Sequence, residues 1–253
     1  MQLSIITLSK NSSKTILTTL SSLKSQKYSN IQNIFIDANS EDGTVDFIKC
    51  ADFVSYVLIS EADNGLYDAL NKGISFCEGD VVGILHSDDA FFDYTTLEVV
   101  ANYFQMDEGL DVLCGSAVFY ERLECLSPIR VYKSFGFKPW MLRFGFMPAH
   151  TATFIKRSSL KKVGLYDSTF SSAGDFDFFI RIFRDGGLKI KLVEDRFVKM
   201  SMGGKSSSGL KSYLRTTVEI LAALRKNGIY SNLFFVLLRL PIKFFLKYFK
   251  KPV

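Results

Sequence analysis

Between Leu3 and Asp89, short apolar runs alternate with helical stretches, and every run closes on a polar or acidic segment. Leu3 to Leu8 is the first run, of the kind expected for a strand buried on both faces. Asn11, Ser12 and Ser13 follow as capping side chains, and Ile16, Leu17, Leu20 and Leu23 stand at helical spacing. Ile31 to Ile36 reads as a second strand ending in Asp37. A turn at Asp42-Gly43 leads into a short helix over Val45 to Ile48. Phe53 to Ile59 is a third strand ending near Glu61 and Asp63, Leu66 to Phe76 a helix, and Val81 to Leu85 a fourth strand ending in Ser87, Asp88 and Asp89. This alternation predicts right-handed strand–helix–strand units and an α/β fold with a mostly parallel central sheet. Ligands of open α/β sheets bind outside the carboxyl ends of the strands. The four polar ends, including Thr7 and Ser9 of the first strand, are therefore expected to converge on one crevice.

The remainder is less regular. Val112 to about Ile155 carries aromatics, Pro128, Pro139 and Pro148, and suggests short strands and loops. Helices are expected over Ser158 to Val163, Asp175 to Phe183 and Leu210 to Leu224, with a late strand over Lys189 to Val193. The domain reading is 1–205, divided into a ligand-binding half at 1–110 and an acceptor-facing half at 111–205, followed by a helical extension at 206–253. At 253 residues, with 47% hydrophobic and 23% charged residues, the chain can bury a core and is not globally disordered. Cys50, Cys77, Cys114 and Cys125 lack metal-ligand spacing and read as buried free thiols.

Val81 to Asp89 delivers two adjacent carboxylates to a sheet edge. Adjacent carboxylates repel and call for a cation or strong donors. Mg²⁺ or Mn²⁺ would suit them, since such ions take oxygen ligands and keep positions open for phosphate oxygens. Residue type alone leaves a second reading open, in which Asp88 or Asp89 caps the helix containing Leu97, Val99 and Val100.

Longer segments carry a resemblance. Ser4-Ile5-Ile6-Thr7, Ile36-Asp37-Ala38-Asn39-Ser40-Glu41-Asp42-Gly43-Thr44, Ser60 through Ile74 and Gly83 through Asp89 stand in the order seen in the family-two glycosyltransferases with the GT-A (Rossmann-like) fold. The stretch Glu61-Ala62-Asp63-Asn64-Gly65-Leu66-Tyr67-Asp68-Ala69-Leu70-Asn71-Lys72-Gly73 resembles members that build bacterial surface polysaccharides. His150 to Phe154, Val163 to Asp167 and Ala173 to Arg181 extend the similarity to about residue 200.

The resemblance implies a nucleotide-sugar donor, a UDP-sugar, with Mn²⁺ or Mg²⁺ on Asp89 and Asp88. It implies donor contacts from Thr7, Asp37, Asp63, Asp68, Asn71, Lys72, Ser87 and Asp88, and a diphosphate or acceptor contact from His150. It implies a general base at Asp175, with Asp177 as the alternative; Gly174 stands where many relatives have Glu. One base-assisted displacement inverts the anomeric centre. The Gln-x-x-Arg-Trp motif of processive synthases is absent, and Trp140 is the single tryptophan. The implied acceptor is a saccharide on undecaprenyl diphosphate, in O-antigen or capsule assembly. Two other readings are a nucleotidyltransferase, which lacks its Gly-rich basic loop here, and a catalytically inactive sugar-nucleotide binder.

The net charge of +5 gathers at the end, where no acid follows Glu219. Residues 229–251 combine Leu233, Phe234, Phe235 and other apolar residues with Arg239, Lys243 and Lys247 at every fourth position. On a helix these would form a basic stripe beside aromatic flanks, suited to an anionic membrane surface. Docking on the domain's own core is the alternative. No run is apolar over the roughly 18–20 residues that a membrane span requires, and no basic leader precedes the first strand. The expected location is the cytoplasm, peripheral on the inner face of the membrane. Nothing points to nucleic acid; an oligomer is compatible with the sequence.

Overall fold

A computed structural model describes residues 1–184, 187–202 and 209–239. Strands β1 (Leu3–Ser9), β2 (Ile31–Asp37), β3 (Tyr56–Ser60) and β4 (Val81–Ile84) run parallel in the order β3-β2-β1-β4. All seven residues of β1 are buried, because β2 and β4 flank it and helices cover both faces. That is why it reads as an apolar run rather than an alternation. Helices α1 (Ile16–Lys24) and α2 (Thr44–Cys50) pack Ile16, Leu20, Leu23 and Ile48 on one face, with Leu97, Val100 and Phe104 of α4 (Thr96–Met106). On the other face α3 (Leu66–Ser75), α5 (Arg157–Val163) and α6 (Gly174–Arg184) supply Tyr67, Leu70, Leu160, Val163, Phe178 and Phe179.

Beyond β4 the sheet becomes mixed. β8 (Thr153–Lys156) joins β4 antiparallel and is followed by β6 (Val112–Tyr120), β9 (Ile190–Ser201) and β5 (Asp89–Phe91), with β7 (Arg130–Tyr132) at the side of β6. Here β6–β9 is parallel, while β4–β8, β6–β8, β6–β7 and β5–β9 are antiparallel. The parallel character expected from the sequence thus belongs to β1–β4. Connectivity reverses at β1, since β2 and β3 lie on one side and β4 on the other. The crevice of such a fold opens at this switch point.

Several local expectations change. The third strand starts at Tyr56, because Asp52 adopts φ 52° and Phe53 packs its ring on Phe35 and Tyr56 instead of pairing. Asn11, Ser12 and Ser13 do not cap α1, which has no side-chain cap. Their backbone amides bond to Ser40 Oγ, Thr44 Oγ1 and Asp42 Oδ2 of the neighbouring loop. Of the four thiols, Cys77 and Cys114 are buried, whereas Cys50 is exposed.

The described part of the extension packs on α6. Helix α7 (Gly209–Lys226) buries Ile220, Ala223 and Leu224 against Phe176 and Ile180, joined by Leu142 of the 3-10 helix Pro139–Phe144 and by Val236 of α8 (Leu233–Leu237). Arg239 does not belong to a surface stripe. It is 3% exposed, donates to Tyr213 Oη and Thr217 Oγ1, and lies over the Tyr213 ring. Lys243, Lys247 and the part of the expected amphipathic segment beyond Arg239 lie outside the described residues. No helix among the described residues is long and apolar enough to cross a membrane.

Candidate active site

The four strand ends are sewn together by hydrogen bonds. Asp37, fully buried at the end of β2, accepts from Ser9 Oγ of β1 (2.8 Å), Ser60 Oγ of β3 (2.8 Å), and the amide and hydroxyl of Ser40. Ala38 N donates to Ser9 O, and Glu61 N to Asp37 O. Ser87, after β4, shares a 2.7 Å hydroxyl–hydroxyl bond with Ser12 and donates its amide to Leu8 O. The convergence expected from the acidic ends is present. Asp37, expected to meet the donor, is at the same time the brace of three strands. Thr7 is buried within β1, beside Phe35 of β2.

Asp88 and Asp89 do not cap a helix. Helix α4 begins at Thr96, and Asp93 occupies the turn before it, accepting from Thr95 N and Thr95 Oγ1. Asp89 instead opens β5 and pairs with Met200 of β9. Thr19 Oγ1 holds its carbonyl at 2.7 Å, and Ser201 Oγ reaches Asp88 O. Asp89 is 2% exposed and its Oδ2 is one of two buried side-chain polar atoms without a partner among the described residues. Burial, and then the neighbouring Asp88, push its carboxyl well above the usual carboxylate range. A buried carboxylate oxygen with no donor is costly. A cation relieves that cost, so the pair fits a hard divalent ion. Among the described residues no cluster of three acidic, His or Cys side chains surrounds the pair. Mg²⁺ is commonly held in this way, by one or two carboxylates plus substrate phosphates.

Asp175 lies in the first turn of α6. Burial raises its carboxyl to about 6, against the hydrogen bonds donated by Phe176 N (2.8 Å) and Tyr67 Oη (3.2 Å). A carboxylate poised near neutrality is suited to accept a proton. Asp177, two residues on, is spent elsewhere. It is fully buried, accepts from Arg181 Nε (3.0 Å) and Asn227 Nδ2 (2.8 Å), and pairs with Lys226 (3.2 Å). These contacts fasten α6 to the end of α7 and engage both carboxylate oxygens of Asp177, the alternative base.

The Glu61–Gly73 segment wraps on itself. Asp63 accepts from Gly65 N and Asp68 from Asn64 N, closing the turn that starts α3 at Gly65, whose φ of 116° suits glycine. Lys72 reaches Glu61 (2.8 Å), Asp68 (3.9 Å) and the Ala62 carbonyl. Asn71 clamps the Tyr166 backbone with both ends of its amide, each at 2.8 Å. Asn71 and Lys72, expected at the donor, are thus engaged within the protein, while Asp63 and Asp68 remain partly exposed. His150 Nε2 lies 2.8 Å from Tyr166 Oη, and burial lowers its pKa to about 3, which keeps it neutral. Nothing in the sequence alone assigns a role to Tyr67. Its ring lies on Gly174, where a Cβ would come within 2.7 Å of Tyr67 Cε2. A larger residue at 174, such as the Glu of relatives, would need that space. A buried tyrosine hydroxyl needs a partner, and this is the signal that could have singled it out.

Residues 4–181 match Glycosyl transferase family 2. An uncharacterized glycosyltransferase of Mycobacterium tuberculosis is 33% identical over 183 residues, 70% of this chain and 67% of that protein. A PGL/p-HBAD biosynthesis glycosyltransferase of Mycobacterium bovis is 25% identical over 67% of this chain and 64% of its own. Among solved structures, S. aureus TarS in complex with UDP-GlcNAc superposes with a TM-score of 0.67 at 16% identity, over 88% of this chain and 66% of that one. This chain spans 43% of a longer TarS structure. The mannosyltransferase PcManGT from Pyrobaculum calidifontis, in complex with GDP-Man and Mn²⁺, gives 0.67 at 16% identity, over 97% of this chain and 72% of that one. With the matched region covering the strand ends, the acidic turn and Asp175, and with GT-A-like neighbours in structure, the chain belongs to glycosyl transferase family 2.

Proposed function

We propose that the chain transfers a sugar from a nucleotide-sugar donor, a UDP-sugar, to a hydroxyl of a lipid-linked saccharide, with inversion and one residue at a time, in surface-polysaccharide assembly. The observation that carries the reading is Asp89 Oδ2, a buried carboxylate oxygen without a described partner at the strand end where donor phosphates would lie. Asp89, with Asp88 beside it, would hold Mn²⁺ or Mg²⁺, which supplies Lewis-acid stabilisation of the diphosphate leaving group. In this reading Asp37, Asp63 and Asp68 would contact the donor, a role supported by their place at or shortly after the ends of β2 and β3, and Ser87 ties the loop after β1 to the acidic turn through Ser12. Asp175 takes the proton of the acceptor hydroxyl. The acceptor oxygen then bonds to the anomeric carbon as the bond to the diphosphate breaks, and the nucleoside diphosphate departs.

A membrane-borne acceptor is supported by an exposed aromatic surface. Trp140 and Phe144 of the 3-10 helix meet at 5.9 Å, Phe144 meets Phe235 at 5.2 Å, and Leu233 and Phe234 stand more than half exposed beside them. Lys138 and Arg143 flank these rings. Aromatic side chains edged by cations suit an anionic lipid interface.

The test is Asp175→Asn. Transfer from the donor found by screening UDP-, GDP- and dTDP-sugars should fall more than about a hundredfold, with donor affinity nearly unchanged. Near-normal turnover would remove Asp175 from the mechanism.

A further inference from the structure

Tyr67 is held from several sides. Its ring rests on the backbone of Gly174 and stacks on Tyr166 at 5.9 Å and 18°, while Tyr166 stacks on Phe178 at 4.2 Å and 21°. The Tyr166 backbone is itself clamped by Asn71, one turn along from Tyr67 on α3. The hydroxyl that emerges from this stack meets Asp175 Oδ1 at 3.2 Å. The other inter-residue bond to this carboxylate, from Phe176 N, falls on the same oxygen. We infer that Tyr67 is the positioning residue of the proton acceptor: it fixes the rotation of the Asp175 carboxylate, commits Oδ1 to the protein, and turns Oδ2 to the acceptor hydroxyl. The inference rests on the assignment of Asp175 as the base.

The surroundings make this hydrogen bond the adjustable element. Glu219 of α7 faces Asp175 and raises its pKa. Glu219 accepts from the Ser171 hydroxyl and from the amides of Ser171, Ser172 and Ala173, which hold its own pKa low against partial burial, so its charge is constant over the range where Asp175 titrates. Burial pushes Tyr132 up to about 12, and Tyr67 and Tyr166 higher, so all three stay neutral. Lys226 and Arg181 are turned to Asp177. Burial raises Asp175 to about 6, and donors such as Tyr67 Oη favour its charged form against that burial.

The test is Tyr67→Phe, which keeps the ring and removes the hydroxyl. Carboxyl-carbon NMR on protein carrying labelled aspartate, with Asp175 assigned from Asp175→Asn, reads the titration without substrate. Asp175 should titrate about one pH unit higher in Tyr67→Phe. In turnover, the acidic limb of the kcat profile should move by the same amount, and kcat at pH 7 should fall about tenfold with donor KM within about twofold. If Tyr67→Phe does not fold, Gly174→Ala displaces the ring while leaving the hydroxyl present, and the same upward shift is expected. An unmoved Asp175 titration in a folded variant overturns the inference. If Asp175→Asn is inactive while Tyr67→Phe keeps the wild-type profile, only the role of Tyr67 falls. If Asp175→Asn turns over normally, the base assignment falls first.

Discussion

Two aspartates two positions apart on α6 should fail in opposite ways. Asp177 is fully buried and holds Arg181, Lys226 and Asn227 at 3.0, 3.2 and 2.8 Å. Asp177→Asn keeps the shape but removes the charge, and its amide NH₂ must face one of these donors. Breaking a buried ion pair typically costs about 3–5 kcal/mol. Two features reduce this. Lys226 is 47% exposed and retains Asp167 at 2.7 Å, and Arg181 retains the carbonyls of Val163 and Leu165. A loss of about 2–3 kcal/mol remains, which for a chain of this size lowers Tm by roughly 4–12 °C. Asp175→Asn removes a carboxylate that burial disfavours, so its Tm should be unchanged or raised. Thermal melts and turnover, measured well below both Tm values, separate the two effects. Asp177→Asn should be unstable yet retain kcat within about threefold, whereas Asp175→Asn should be stable and inactive. A stable, inactive Asp177→Asn would refute the division of roles.

Other outcomes follow from the same geometry. The rate of transfer should rise with pH through an apparent pKa near 6, because Asp175 must be ionised to accept a proton; a flat profile from pH 5 to 8 in about one-unit steps would speak against it. The same raised pKa makes the Asp175 contribution to stability largest at low pH and lost as pH rises through about 6, and Asp175→Asn should flatten that slope in a denaturant series. Asn71→Leu strands the Tyr166 amide and carbonyl and should cost about 2 kcal/mol by chemical denaturation. The double variant Trp140→Ser, Phe234→Ser should reduce co-sedimentation with vesicles containing phosphatidylglycerol, while leaving transfer to a water-soluble acceptor intact.

The half of the fold that was legible is the half whose signals are local. β1, β2 and β4 are interior strands, so burial on both faces writes them as apolar runs, and α3 and α6 carry their apolar residues at helical spacing. β5 could not be read, because it has three residues and is made by pairing with β9 more than a hundred positions later. That pairing is also what decides between metal site and helix cap for Asp89. Ser12 and Ser13 looked like caps because a capping hydroxyl and a loop-bracing one have the same local sequence. Arg239 fitted a four-residue basic periodicity, but α8 ends at Leu237 and packing on α7 buries the guanidinium. At the site, the acidic strand ends announced a crevice, whereas the roles of Asp177, Asn71 and Tyr67 depend on partners 50, 95 and 108 positions away.

Under the proposed function, nucleotide-sugar binding is tied to a divalent ion at Asp88 and Asp89. A thermal-shift panel of UDP, GDP, dTDP and their sugars, each with and without Mn²⁺, on the wild-type chain and on Asp89→Asn tests it most directly. One nucleotide class should raise the Tm of the wild-type chain in Mn²⁺, and the Mn²⁺-dependent part of that rise should vanish in Asp89→Asn. No stabilisation by any nucleotide in either condition, or an equal Mn²⁺-dependent rise in Asp89→Asn, would rule out a metal-dependent donor site at this turn.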